Sequence, residues 1–152
     1  MPPLSGFFDT NGDHGTFKAN IALQALLVDI HLERARQSQS EAYRYIHQLT
    51  QHLQHTIDES WPVTRMAEFC NLSPSRFRVV FQSVTGSAPK SYLDRLRIQL
   101  ATEALVQEDE TIAAVAHQFG FPDPYHFSRR FKEITGYAPT HYRREMRFTR
   151  GH

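Results

Sequence analysis

The chain has 152 residues, of which 40% are hydrophobic, so it is long enough for a compact domain, and its apolar content disfavours wholesale disorder. Its single cysteine, Cys70, excludes an intramolecular disulfide and a cysteine-rich zinc site. The net charge is +1, but residues 60–152 carry 13 Lys and Arg against 9 Asp and Glu, whereas residues 1–59 carry 4 against 7. The C-terminal part is therefore the part expected to meet a polyanion.

The first third of the chain is predicted to form an accessory segment followed by a helix. Residues 1–16 have the composition of a loop, and an apolar helix is predicted from 17 to about 37. That helix is apolar on more than one face, so it is expected to bury against something. It is too short and too polar to cross a membrane, and the N-terminus lacks the basic start of a signal peptide, which fits a cytoplasmic protein.

A linker is predicted at residues 38–40, and a second helix at 41–59. The apolar residues of this second helix step by three and four, as one buried face requires: Tyr45, Ile46, Leu49, Leu53 and Ile57. The predicted domains are therefore residues 1–40, a loop plus an apolar helix, and residues 41–152, a helical domain.

The remainder of the chain is predicted to be helical throughout. Helices are expected near 63–70, 74–84, 90–107, 112–118, 124–134 and 139–147. No stretch alternates apolar and polar residues over the length of a strand, so the fold class is all-α.

An internal repeat is the most informative feature of the sequence. Residues 74–89 resemble residues 124–139 at an offset of 50, with Pro, Phe, Phe, Thr, Gly, Ala and Pro recurring in register. Upstream, Met66-Ala67 match Val115-Ala116 at an offset of 49, so the second copy has one more residue in between. So many matches in one frame indicate a duplicated structural unit.

Each repeated residue type has a structural reason. The prolines suit the first turn of a helix, preceded by Ser73 and Asp123 as N-caps. The two phenylalanines of each copy are four residues apart and share a buried face. Gly86 and Gly136 end the helices where a positive φ is favoured. Helix, short turn and helix, present twice, predict two helix-turn-helix units.

The exposed face of each second helix is rich in basic and hydrogen-bonding side chains. Arg and Gln are suited to reading base edges, and hydroxyls and cations are suited to phosphates. For one helix an ordinary solvated surface is the simpler explanation, but two repeat-related basic helices favour duplex DNA. The helix at 90–107 is roughly 27 Å long, which suits two recognition helices held about one DNA turn, ~34 Å, apart.

Two other classes of function are weighed against DNA binding. A helical module whose basic helices bind an acidic protein surface fits the same charges. An enzyme is disfavoured, because the sequence shows no nucleophile–base pair, phosphate loop or metal triad. His52 and His55 are three residues apart but have no third ligand at a suitable spacing, so neither a metal nor a cofactor is expected.

From about Arg44 to Arg147 the sequence resembles the DNA-binding domain of the AraC/XylS family of transcription regulators. The most specific match is the run from Gly120 to Lys132, followed by Thr135-Gly136, Pro139 and Tyr142-Arg143. The resemblance implies two helix-turn-helix subdomains joined by a central helix, reading consecutive major grooves.

The resemblance also implies the residues that contact DNA. Base contacts are expected from Ser75, Arg78, Val79, Tyr125 and Arg129. Backbone contacts are expected from Arg76, Gln82, Thr111, His126, Arg130 and Lys132. Two positions depart from the family pattern: Val79 replaces a residue that is often polar, and Pro62 stands at the N-cap position that Thr111 occupies in the second unit.

Most members of the family also have an N-terminal effector domain, for which this chain is too short. A fragment and a naturally short regulator both fit the sequence. Helix 17–37 fits a dimerisation helix, a remnant of an effector domain, or a segment folded back on the domain. The expected partners are double-stranded DNA and RNA polymerase, together with a second copy of the chain in a homodimer through residues 17–37. Activation of transcription is the expected mode, and repression also fits the sequence. The sequence also fits an alternative in which only the second unit reads bases and the first contacts the DNA backbone alone.

Overall fold

The structure, a computed structural model, describes residues 10–107 and 109–150, and for residues 10–18, 21 and 150 it describes the backbone alone. Seven helices and no strand are found in this part of the chain, which confirms the prediction of an all-α fold. In chain order they are α1 (Thr10–His55), α2 (Val63–Phe69), α3 (Pro74–Thr85), α4 (Pro89–Gln107), α5 (Ile112–Gln118), α6 (Pro124–Thr135) and α7 (Pro139–Arg150).

Helices α2 to α7 begin and end within three residues of the predicted positions, because strong local signals set their ends. The Ser73 hydroxyl accepts a hydrogen bond from the Arg76 N–H at 3.4 Å, and an Asp123 carboxylate oxygen accepts one from the Tyr125 N–H at 2.9 Å. Gly86 and Gly136 end α3 and α6 with φ of 73° and 84°, as predicted.

The N-terminal helix differs from the prediction. Helix α1 is continuous from Thr10 to His55, so the predicted loop at 10–16, the linker at 38–40 and the helix end at 59 are wrong. Ser38, Gln39 and Ser40 include neither glycine nor proline, and such residues weaken an exposed helix by only about half a kcal/mol each. The predicted loop at 1–9 lies outside the described residues.

The described residues divide into two compact parts, with the boundary between Glu41 and Ala42. The larger, C-terminal part contains two hydrophobic cores. The first core includes Ile46, Leu49, Leu53, Trp61, Met66, Phe77, Phe81 and Leu93. The second core includes Ile98, Ala101, Leu105, Val115, Phe121, Phe127 and Phe131. Helix α4 contributes to both, so the two helix-turn-helix units share it as a structural member.

The two parts of α1 differ in burial. Ile46, Leu49 and Leu53 are fully buried, which confirms the predicted core-facing stripe. Between residues 23 and 32, however, the apolar side chains are 41–57% exposed: Leu23, Leu26, Leu27, Val28, Ile30 and Leu32. Among the residues whose side chains the structure describes, these six therefore lack the burial that the sequence predicts. Among the helices of the described residues, none combines the length and apolar character needed to cross a membrane.

Candidate nucleic-acid interface

The two units close their turns with the same hydrogen bond. In each turn an N–H donates to the carbonyl five residues earlier, Leu72 to Ala67 at 3.0 Å and Phe121 to Ala116 at 2.9 Å. The residue before each donor, Asn71 or Gly120, has a left-handed backbone, with φ of 53° and 77°. This is the Schellman geometry that ends a helix sharply and lets the second helix of each unit cross the first.

Helix α3 buries Phe77 and Phe81 completely, so its opposite face is open to solvent. That face carries the predicted contacts of the first unit, all of them exposed: Ser75, Arg76, Arg78, Val79 and Gln82. Within the described residues neither Arg76 nor Arg78 forms an ion pair. Val79 is 72% exposed, so an apolar side chain stands in solvent among these polar and basic neighbours.

Helix α6 repeats this arrangement with different side chains. Phe127 and Phe131 are fully buried, and the opposite face exposes Arg129, Lys132 and Tyr125, the last at 87%. His126 is half-buried, with its ring 5.7 Å from the ring of Phe121. The structure thus brings Tyr125, Arg129 and Lys132 to one exposed surface, whereas His126 lies at its edge.

Arg130 lies differently from the other predicted contacts. It is half-buried, its Nε donates to Asp94 of α4 at 3.0 Å, and its Nη1 donates to Glu133. The hydrogen bond to Glu133 raises the pKa of Arg130, although partial burial acts against it. Asp94 is only 6% exposed, so this ion pair anchors the recognition helix α6 to the shared helix α4. Sequence reasoning missed this role; an acidic residue on the buried side of α4 was the available signal.

Thr111 lies at the N-terminus of α5, where its hydroxyl accepts a hydrogen bond from the Ala114 N–H at 3.1 Å. The first unit has Pro62 at the equivalent position, with no side-chain hydrogen bond to the start of α2. The two units therefore start differently, as the sequence predicted. The Thr111 side chain is exposed at this helix start.

The repeat extends to two arginines that sequence reasoning also missed. Arg97 on α4 donates to the carbonyls of Ile57 at 3.1 Å and Glu59 at 2.8 Å. Fifty residues later, Arg147 on α7 donates to the carbonyl of Val106 at 3.1 Å and to Asp109 at 2.7 Å. In each unit, the helix that follows the helix-turn-helix thus holds the chain segment that precedes it. Burial lowers the pKa of Arg97, while Asp94 and Asp58 oppose the shift.

Two repeated helix-turn-helix units, each with an exposed second helix bearing basic side chains, define a double helix-turn-helix DNA-binding domain. A family model described as a helix-turn-helix domain matches residues 66–145, which is more than half of the chain. The chain belongs to the AraC/XylS family of transcription regulators.

Several curated relatives match more than half of the chain. The MmsAB operon regulatory protein of Pseudomonas aeruginosa is 36% identical over 55% of this chain and 27% of its own length. A putative AraC-like transcription regulator of Streptomyces lividans is 34% identical over 56% of this chain and 28% of its own length. The chain therefore spans about a third or less of the length of these relatives.

Solved structures share the fold. The DNA-binding domain of the global transcriptional factor AdpA, crystallised in complex with a target DNA, is 27% identical with a TM-score of 0.68, covering 70% of this chain and 96% of that one. The C-terminal domain of AraT, a response regulator from Geobacillus stearothermophilus, is 25% identical with a TM-score of 0.63, covering 66% and 84%.

Proposed function

We propose that this chain binds duplex DNA sequence-specifically, with α3 and α6 in consecutive major grooves, and thereby regulates transcription without catalysing a reaction. The observation that carries this proposal is the repeated exposed face, in which each second helix buries two phenylalanines and turns basic and hydrogen-bonding side chains outward. A single basic helix face has an ordinary explanation as solvated surface, whereas two in equivalent positions favour a periodic polyanion. The AdpA domain in complex with its target DNA supports this assignment.

The proposed contacts fall into two groups. Base edges are met by Ser75, Arg78, Val79, Tyr125 and Arg129, with Val79 packing on a thymine methyl group. Backbone phosphates are met by Arg76, Gln82, Thr111, His126, Lys132 and Arg130. Arg130 is the weakest member of the second group, because Asp94 and Glu133 already hold its guanidinium.

The direct test selects binding sites from a random duplex library and measures affinity for the selected site and for scrambled DNA across a salt series. We expect two boxes about one helical turn, ~34 Å, apart. Arg78→Ala and Arg129→Ala should each relax preference in one box, by roughly 1–3 kcal/mol. Arg44→Ala is the matched control, because Arg44 lies on α1 outside both helix-turn-helix units and should leave the preference unchanged.

The outcomes separate the competing functions. If only the Arg129 variant changes the preference, the first unit positions the protein on the backbone and the base contacts assigned to Ser75, Arg78 and Val79 are wrong. If no motif emerges and binding stays weak at low salt, DNA binding fails and a helical module for acidic protein surfaces takes its place. Such a module would bind an acidic protein surface and would show no sequence preference with duplex DNA.

The proposal extends to two partners. Apolar side chains exposed between residues 23 and 32 support a homodimer formed through residues 17–37. Leu27→Asp should then shift the protein toward monomer in sedimentation velocity, whereas Arg34→Asp, at a position that is also exposed, should not. The second partner is RNA polymerase, which the DNA-bound protein would contact in the cytoplasm as an activator. Transcription in vitro from a promoter carrying the selected site should rise when the protein is added.

A further inference from the structure

The turns of the two units differ at one equivalent position, Asn71 in the first and Gly120 in the second. Both have a left-handed backbone, which asparagine tolerates, so this conformation alone does not require glycine at 120. Asn71 is exposed, whereas a Cβ on Gly120 would lie 2.6 Å from the Ile57 carbonyl oxygen and 2.7 Å from Arg97 Nη2. Glycine at 120 is therefore required by the close approach of another part of the domain.

Arg97 is the side chain that fills this contact. Its guanidinium holds the segment before the first unit through the carbonyls of Ile57 and Glu59. The same guanidinium lies 5.7 Å from the ring centroid of Phe121, which belongs to the second core. One side chain of the shared helix thus contacts both the chain that enters the first unit and the turn of the second.

The neighbouring residue strengthens the connection. Phe119, just before Gly120, packs against both hydrophobic cores. The three consecutive residues 119–121 therefore join the units through a shared apolar side chain, a close backbone approach and an aromatic contact with Arg97. A cleft of about 640 Å³ beside them is lined by residues of both units, including Trp61 and Phe121.

We propose that Gly120 and Arg97 are positioning residues that fix the distance and angle between α3 and α6, and through them the spacing of the two DNA boxes. The effect on the spacing of the DNA boxes rests on the proposed function. The distance between α3 and α6, in contrast, is a property of the protein without DNA. Helix α4 packs against both helix-turn-helix units. The contact at Gly120 restricts the movement of one unit relative to the other that packing on α4 alone would allow.

The first experiment measures this geometry without DNA. Spin labels at Val79→Cys on α3 and Tyr125→Cys on α6 report the distance between the two recognition helices, because both positions are strongly exposed. The native Cys70 is buried, and burial raises the pKa of its thiol to about 11, both of which slow its reaction with the label near pH 7. Labelling the protein that has Cys70 as its only cysteine measures the background. The full chain is used in every measurement.

The informative pair of variants is Gly120→Asn and its mirror control Asn71→Gly. The doubly labelled protein is diluted with excess unlabelled protein, so that the proposed homodimer contributes only distances within one chain. Without a further substitution it should give one narrow distance distribution, and Asn71→Gly should reproduce it. Gly120→Asn should shift or broaden it, because a Cβ 2.6 Å from the Ile57 oxygen must move out by roughly 1 Å to reach an ordinary carbon–oxygen distance. A distribution identical to that of the unchanged protein in a folded Gly120→Asn variant overturns the proposal.

A milder variant covers the case in which Gly120→Asn fails to fold. Arg97→Lys keeps the charge but loses the fork that reaches two carbonyls at once. It should broaden the same distribution, whereas Arg147→Lys, at the equivalent position on α7, should leave it unchanged. Equal distributions for Arg97→Lys and the unchanged protein contradict the assignment.

The DNA measurement then uses the two-box duplex selected with the unchanged protein, and versions with one base pair added or removed between the boxes. Gly120→Asn should bind the original duplex roughly tenfold more weakly, because the second box no longer benefits from rigid linkage, while each isolated box is bound as before. Its discrimination between spacings should also diminish. If Gly120→Asn discriminates between spacings as well as the protein without this substitution, the inference is wrong but the proposed function stands. If the protein without substitutions selects no site, the proposed function is wrong. In that case the distances between the spin labels still test the geometry.

Discussion

The first helix-turn-helix unit, α2–α3, and the second, α5–α6, are built on the same frame but differ in how the recognition helix is held. In both, two phenylalanines anchor the second helix and a glycine ends it. In the second unit, Arg130 additionally pairs with Asp94 on α4, whereas the first unit has the apolar Val80 at the equivalent position, packed against its core. Positions that match between the units build the frame, and those that differ set how each unit meets its neighbours and DNA.

The outward faces differ in a complementary way. Where α6 has Arg129, α3 has Val79, and where α6 has the highly exposed Tyr125, α3 has the small Ser75. The second unit therefore has the firmer anchor and, in Tyr125, the bulkier exposed side chain, whereas each face exposes two cations, Arg76 and Arg78 on α3 and Arg129 and Lys132 on α6. This difference is consistent with a division of work in which α6 contributes more of the sequence preference than α3.

The strongest way to break the comparison is to remove one core phenylalanine from each unit. Phe81→Ala and Phe131→Ala should each lower the free energy of unfolding by about 3–5 kcal/mol, because both rings are fully buried. Since α4 belongs to both cores, we expect the units to unfold together. Trp61, the only tryptophan, lies in the first core, so its fluorescence during urea unfolding should shift in Phe131→Ala as much as in Phe81→Ala. An unshifted midpoint in Phe131→Ala would show that the units unfold independently.

The anchor of α6 is the next target. Asp94→Ala leaves the half-buried Arg130 guanidinium with only the exposed Glu133, and should lower the unfolding free energy by about 2–3 kcal/mol, a value reduced for partial exposure. Glu133→Ala is the matched control and should lower it by less than about 1 kcal/mol. Equal losses in urea unfolding would contradict the assignment of Asp94 as the main partner.

Exchanging the unlike residues of the two recognition helices sharpens the comparison. Arg129→Val should weaken preference in the box read by α6 by about 1–3 kcal/mol, because the base contact proposed for Arg129, which is bidentate if the base is guanine, is lost. Val79→Arg should create a new preference in the other box and leave the first one intact. Sites selected from a random duplex library report both effects, and a change in the same box for both variants would contradict the assignment of one box to each helix.

The smallest difference concerns the helix caps. The Asp123 cap is shorter than the Ser73 cap, 2.9 Å against 3.4 Å, and carries a negative charge at the positive end of the helix. Asp123→Ala should therefore destabilise the domain by about 1 kcal/mol and Ser73→Ala by about half as much. Thermal unfolding of the two variants in the same buffer gives the order, and a larger effect at Ser73 would contradict it.

The features that could be predicted from the sequence are those set by residues close together in the chain. Prolines, caps and glycines placed α2 to α7 correctly, and the phenylalanine spacing located both cores. The linker at 38–40 was wrongly predicted because a helix boundary was inferred from two serines, which an exposed helix tolerates. The pairings of Arg130 with Asp94 and of Arg97 with Ile57 and Glu59 were not predictable, because they join residues 36 to 40 positions apart whose meeting depends on how helices cross.

Because neighbouring units share a helix, the architecture can in principle be extended by adding units. Helix α4 closes the first unit and opens the second, and α7 closes the second in the same way, with Arg147 in the place of Arg97. On α7, Phe148 stands where α4 has Ile98, which is fully buried in the second core, but Phe148 is 73% exposed. Helix α7 thus offers the register on which a further helix-turn-helix could be grafted by design, extending the domain along the duplex one groove at a time.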